Sequence, residues 1–172
     1  MDSRNMNFLG FIGLIGAIIL VIGAFLGWIS YEALGETKSY SGWDIFSNVD
    51  SIATGYSPYG LQVAGPMAYS FVALVAVVCG IISLVLMIVP TFANTEKYEK
   101  INNILGLIAL ICSIIVVICG ILWYTQSITY LGATKPLTEW YSVGIGFWLV
   151  LVGGIITLIG GLTPIIKNKF MK

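Results

Sequence analysis

Histidine is missing altogether from this 172-residue chain. That removes imidazole ligation of haem, zinc or copper, and it removes the commonest general base. Charge is scarce as well, at 9% of residues against the roughly 25% of soluble domains. With 58% hydrophobic residues and a mean hydropathy of +0.97, most of the surface is expected to face lipid. Net charge is zero, so nothing argues for nucleic acid or an acidic substrate as partner. The three cysteines, Cys79, Cys112 and Cys119, all fall inside apolar runs, whereas an exported disulfide scaffold would place them in loops. No Walker loop, GxSxG elbow, HExxH, CxxC or calcium-loop spacing occurs, and neither a metal site nor a cofactor is expected.

What the chain has is long apolar runs. Phe8–Ile29, Met67–Val89, Ile104–Tyr124 and Val143–Ile166 each approach or exceed the ~20 residues a spanning helix needs. None contains Asp, Glu, Lys or Arg, and Pro66, Pro90 and Pro164 fall at or near their ends. The first run is long enough to be a retained helix and has no convincing small-x-small cleavage site after it. With both termini inside, the cytoplasmic segments hold Arg4, Lys97, Lys100, Lys167, Lys169 and Lys172, and the external loops only Lys38 and Lys135. That asymmetry satisfies the positive-inside rule. The expected location is therefore a cell membrane, with both larger loops outside.

The aromatics are also one-sided. Trp28, Trp43, Trp123, Trp140 and Trp148 belong to the outer interface or outer loops, and so does every tyrosine but Tyr98. Aromatic belts normally mark both interfaces. The surplus predicts a packed outer cap, with Trp28, Trp43, Trp140, Tyr56 and Tyr59 as candidate external contacts. The carboxylates Glu32, Glu36, Asp44 and Asp50 in the first loop read as a solvated acidic face, with cation binding the lesser alternative.

The chain also resembles itself. At an offset of 97 residues SYEALGETKSYSGW (30–43) aligns without a gap on SITYLGATKPLTEW (127–140), sharing Ser, Leu, Gly, Thr, Lys and Trp. Gly35 after Leu34 suits a tight turn needing positive φ. At an offset of 74, Gly80–Leu84 aligns on Gly154–Leu158 and Pro90 on Pro164. The pattern predicts a parallel duplication within one membrane domain, about 5–92 and about 102–168. The first copy would carry an extra loop segment at about 44–66, an irregular stretch in which contact residues could concentrate.

Without a hydrophobic force between helices in lipid, small residues that permit close approach take over. Gly16, Gly23 and Gly27 in the first run, Gly80 in the second, and Gly146, Gly153, Gly154, Gly160 and Gly161 in the last are the candidate packing residues. Gly146, Gly153 and Gly160 recur every seven residues, which keeps one face in register with a neighbour. The two adjacent rows read as seams within the bundle or, alternatively, as a self-association face on the last helix.

The overall plan resembles the claudin-like tetraspan architecture: four spans, both ends inside, a longer first external loop, and Trp28 where the first helix leaves the membrane. The family's first-loop pattern, Gly-Leu-Trp followed by two cysteines, is not met, since Gly27-Trp28 lacks the Leu and the loop lacks Cys. The resemblance implies a small extracellular sheet pinned against the bundle. The expected fold is thus an all-α integral membrane four-helix bundle with a small external loop cap containing some β-structure. The expected function is non-catalytic: a structural or assembly component, self-assembling or an accessory subunit among other membrane proteins. An oligomeric channel or small-solute facilitator is the alternative. The lack of ionisable groups in the apolar runs argues against pumps and ion-coupled carriers.

Overall fold

A computed structural model describes residues 8–33, 35–47, 69–92, 99–130 and 133–170. The apolar runs form helices because in lipid every backbone polar group must be satisfied within the segment. These are α1 (Phe8–Phe25), α3 (Val72–Phe92), α4 (Glu99–Thr125) and α6 (Ile145–Phe170), with the short helices α2 (Gly42–Ser47) and α5 (Leu137–Trp140) between them. Three windows, Val72–Val89, Lys100–Thr125 and Ile145–Leu162, are long and apolar enough to cross a membrane. The first helix is shorter as an apolar unit, Gly10–Phe25.

Each long helix packs on its neighbours in chain order, α1 on α3, α3 on α4 and α4 on α6, and α6 closes on α1. The α1–α6 contact is the most extensive of the four. Large apolar side chains such as Ile22, Val85, Ile118 and Ile155 are about half exposed on the outside of the bundle. Ala17, Leu20, Ala76, Ala109, Val116 and Val150 fill the inside.

Strands β1 (Gly27–Ala33) and β2 (Glu36–Ser41) form an antiparallel hairpin, and β5 (Ser142–Val143) adds to the other edge of β1. Strands β3 (Ser127–Tyr130) and β4 (Ala133–Pro136) form a second hairpin. The registers of the two hairpins coincide at the offset of 97 seen in the sequence. Ser30↔Ser39, Tyr31↔Lys38, Glu32↔Thr37 and Ala33↔Glu36 correspond to Ser127↔Pro136, Ile128↔Lys135, Thr129↔Thr134 and Tyr130↔Ala133.

Several boundaries differ from the hydropathy reading. The first helix stops at Phe25 and not at Ile29, because Trp28 and Ile29 belong to β1, where both are fully buried. A hydropathy window cannot separate an apolar strand that faces a core from a helix that faces lipid. Met67 lies outside the described residues, and α3 begins at Val72. Helix α6 runs on through Pro164 to Phe170. One proline removes a single rung of the helical ladder, and the turns on either side still carry it.

The turn at the tip of the first hairpin is as tight as expected: Gly35 has φ +82°, a conformation that costs little only for glycine. Helix α2 starts on a reciprocal cap. The Asp44 amide donates to Ser41 Oγ at 3.0 Å, and the Ser41 amide and hydroxyl donate to Asp44 Oδ2 at 3.0 and 2.7 Å. Asp44 thus serves the fold of the cap.

Candidate functional site

The last helix carries two glycine rows one residue apart, and they serve two different neighbours. A Cβ at Gly153 would lie 2.6 Å from Leu20 N and 2.8 Å from Gly16 O. One at Gly146 would lie 2.6 Å from Leu26 O and 2.8 Å from Gly23 O. In return, a Cβ on Gly16 would meet Thr157 N at 2.6 Å, and one on Gly23 would meet Gly146 O at 2.8 Å. Gly13, toward the N-terminal end of α1, faces Gly160 Cα at 3.1 Å. Side chains are therefore absent along this seam because the backbones of α1 and α6 touch. The second row looks the other way: Gly154 faces Val117 and Val116, and Gly161 faces Gly106 and Leu110, all on α4. Gly80 of α3 meets the side chains of Leu20 and Val21.

This placement bears on the self-association alternative. Gly146, Gly153, Gly154, Gly160 and Gly161 are all buried against α1 or α4 of the same chain. No glycine row on α6 is left on the lipid side among the described residues. Gly27, counted as a helix-packing residue from its spacing to Gly23, lies in β1 and contacts Ser39.

Three buried hydroxyls of the bundle close on their own helices. Thr157 Oγ1 donates to Gly153 O at 2.7 Å, Ser113 Oγ to Ala109 O at 2.8 Å and Thr91 Oγ1 to Met87 O at 2.6 Å. Each is a bond to the carbonyl four residues back, which removes a polar group from lipid at little cost. Cys79 and Cys112 are free thiols within hydrogen-bonding reach of one another across α3 and α4.

Above the seam sits an aromatic node. Trp28 is fully buried; its ring lies 5.1 Å from Trp123 and 5.7 Å from Phe147, both edge-on, and its Nε1–H donates to Gly23 O at 2.9 Å. Edge-on pairs of this kind add about 0.5–1.5 kcal/mol beyond burial. Trp28 was expected as an external contact, but a fully buried ring cannot be one; it is the joint between bundle and cap. Gly42 packs directly on that ring, and Gly144 packs on the Gly27 carbonyl while its amide donates to Trp28 O at 2.7 Å. Neither glycine stood out in the sequence. The only cue was Gly42 beside Trp43 within the repeated motif.

The other expected contacts are divided. Trp43 is 37% exposed and stacks loosely on Phe25 and Phe46. Trp140 is half-buried, with Lys135 Nζ 5.7 Å above its ring. Tyr56, Tyr59, Asp50 and most of the 44–66 segment lie outside the described residues.

Between the first hairpin and the α5–β5 turn there is an open cleft of about 390 Å³. Tyr31, Trp140 and Tyr141 supply its aromatic wall and Glu32 and Glu139 its charge; four hydroxyl-bearing residues complete it. Tyr31 and Tyr141 meet at 77° with centroids 5.9 Å apart, forming a corner, and Tyr40 stacks behind Tyr31 at 6.2 Å. Burial, with smaller contributions from Tyr31 and Tyr40, pushes the Tyr141 hydroxyl up to about 12. The hydrogen bond that the neutral Tyr40 hydroxyl donates to Tyr31, and then burial, raise Tyr40 as well. Both phenols therefore stay neutral at physiological pH. The sequence did not reveal this cleft, because its two walls lie about a hundred residues apart and come together through β1–β5 pairing and the Tyr31–Tyr141 contact.

No protein family, no curated protein and no solved structure matches the chain.

Proposed function

We propose that the chain is a non-catalytic tetraspan membrane protein, a structural or assembly component whose rigid bundle presents a folded outer cap to another membrane protein or to a second copy of itself. The observation that carries this reading is the joint between bundle and cap. Strand β1 continues directly from α1, β5 leads directly into α6, and the two pair with each other over the buried Trp28. A cap held in this way keeps one shape, and a preformed surface loses less on binding than loose loops would.

The count of four spans is supported by α1 running beside α6 from Gly13–Gly160 to Gly23–Gly146. Its 18 residues span about 27 Å, close to a hydrocarbon core. The asymmetry of the basic residues supports an orientation with both termini in the cytoplasm and the cap outside. Duplication of a helix–hairpin–helix unit is supported by the coincident hairpin registers. A small sheet seated on a bundle is also what the claudin-like plan implies, here without its loop disulfide.

With both glycine rows occupied inside the chain, contact with a partner falls to the cap and to the apolar outer faces. The channel alternative draws less support, since Ser83 and Thr157, the polar positions that would line a path, are 1% and 0% exposed. Gentle extraction of the tagged chain followed by native mass spectrometry tests the assembly reading. A defined multiple of this chain, or a fixed ratio to other subunits, is expected. Monomer alone under the mildest conditions would overturn it.

A further inference from the structure

The cleft on the cap has a composition that the assembly reading does not use. Among the described residues both charged groups that line it are carboxylates, and no basic side chain does so. Glu32 has no ion-pair partner among the described residues. The aromatic wall sets the rings of Tyr31 and Tyr141 at nearly a right angle, with Trp140 beside them. Ring faces attract cations, and more so when a carboxylate stands nearby. The chain itself provides an example at the rim: the Lys135 ammonium sits 5.7 Å over the Trp140 ring and 3.2 Å from Glu139 Oε2. Both partners of that ion pair are about half exposed, so it is a weak clasp that another cation can displace. The volume, about 390 Å³, falls in the range of small-ligand sites and exceeds what one ammonium fills.

We propose that the cleft between β1 and the α5–β5 turn binds an organic ammonium group, held by Glu32 and Glu139 against the Tyr31–Trp140–Tyr141 wall. The chemistry is that of a substituted ammonium, supplied either by a soluble amine or quaternary ammonium compound or by the headgroup of an outer-leaflet lipid. Anions and neutral apolar molecules lack the complementary charge. Lys135 competes for the same carboxylate. This inference stands whether or not the chain assembles with a partner.

The test is calorimetric titration of the full-length chain in maltoside micelles with choline, with tetramethylammonium, and with the neutral carbon isostere of choline. Saturable binding of both cations is expected, with the isostere about tenfold weaker or worse. Glu32→Gln should weaken choline at least about fivefold, the loss of one close charge at partial exposure. Lys135→Gln should leave binding intact or tighten it. Glu32 is exposed, so an unchanged tryptophan emission and melting midpoint serve as the fold control for Glu32→Gln. Repeating the titration in nanodiscs separates the sources. Choline binding retained in both phosphatidylglycerol and phosphatidylcholine discs supports a soluble ligand. Binding retained only in phosphatidylglycerol discs supports a headgroup, which in the other discs already occupies the cleft. Three results would overturn the proposal: no saturable cation binding in micelles, equal affinity for the isostere, or a Glu32→Gln variant that binds like the parent.

Discussion

Gly153 and Gly154 are neighbours on one helix, yet the structure assigns their substitution to alanine opposite outcomes. A Cβ on Gly153 would stand 2.6, 2.8 and 2.9 Å from Leu20 N, Gly16 O and Leu20 Cα, all backbone atoms of α1. Ordinary contact needs about 3.5 Å, so α1 and α6 would have to part by roughly 0.8 Å. That movement would also open the rungs at Gly16–Thr157 and Gly23–Gly146. Overpacking of this kind costs about 1–3 kcal/mol, partly offset by up to ~1 kcal/mol of improved helix propensity. A Cβ on Gly154 meets Val117 Cγ2 at 3.2 Å, Val116 Cγ1 at 3.7 Å and Ser113 O at 3.9 Å, so its tightest contact is a side-chain methyl that need give by only a few tenths of an ångström. Gly153→Ala should therefore be destabilised by about 1–2 kcal/mol net, while Gly154→Ala stays within about 0.5 kcal/mol of the parent or improves on it. At about 2–4 °C per kcal/mol for a chain of this size, the two variants should differ by several degrees. Thermal unfolding in maltoside at one fixed scan rate, followed by near-ultraviolet circular dichroism of the Trp28–Trp123 pair, reads the difference. Equal midpoints, or a greater loss at Gly154, would refute the backbone-to-backbone seam.

Trp28→Phe removes the indole bond to Gly23 O and part of the buried node, and should lower stability by about 2 kcal/mol, with loss of the near-ultraviolet signal. Gly35→Ala meets no steric neighbour but must hold φ +82°, so a cost of about 1–2 kcal/mol is expected, and less for Gly35→Asn, which tolerates that region better. Tyr141 should titrate late, near pH 12 against 10.0 for an ordinary phenol, in a tyrosinate absorbance titration of the folded chain, and Tyr141→Phe should delete that component. Because the raised value favours the neutral folded form, its stabilisation is full below pH ~10 and is lost as pH rises toward ~12, where the unfolded chain ionises first. Tyr141→Phe should flatten that decline.

Much of the architecture was legible because it follows from one strong rule, that lipid tolerates only apolar segments with satisfied backbones. The last three apolar runs became α3, α4 and α6 with ends shifted by a few residues. The glycine positions were legible too, since seven-residue spacing marks a face. Which neighbour each row met was not, because a one-residue step turns a helix by about 100° and composition does not name the partner. Trp28 and Ile29 were misassigned to a span because hydropathy scores burial in a sheet-covered core and burial in lipid alike. The hairpin pairing lay hidden in the sequence match at an offset of 97, where an ungapped loop match implied a shared turn but not two strands. The cleft was out of reach altogether, since Glu32 and Glu139 carry no motif spacing and come to one cleft through the β1–β5 pairing and the Tyr31–Tyr141 contact.

The central claim, a four-span bundle that presents its cap outside, turns on whether the short helix α1 crosses. Single cysteines replacing Ser39 and Ser142, and a tag at the N-terminus, can be probed in intact cells with a membrane-impermeant maleimide and an antibody, in a background with Cys79, Cys112 and Cys119 changed to alanine. The account predicts that Ser39→Cys and Ser142→Cys label from outside while the N-terminal tag is reached only after permeabilisation. A tag accessible on the same side as both cysteines would contradict it, leaving α1 uncrossed and the bundle with three spans.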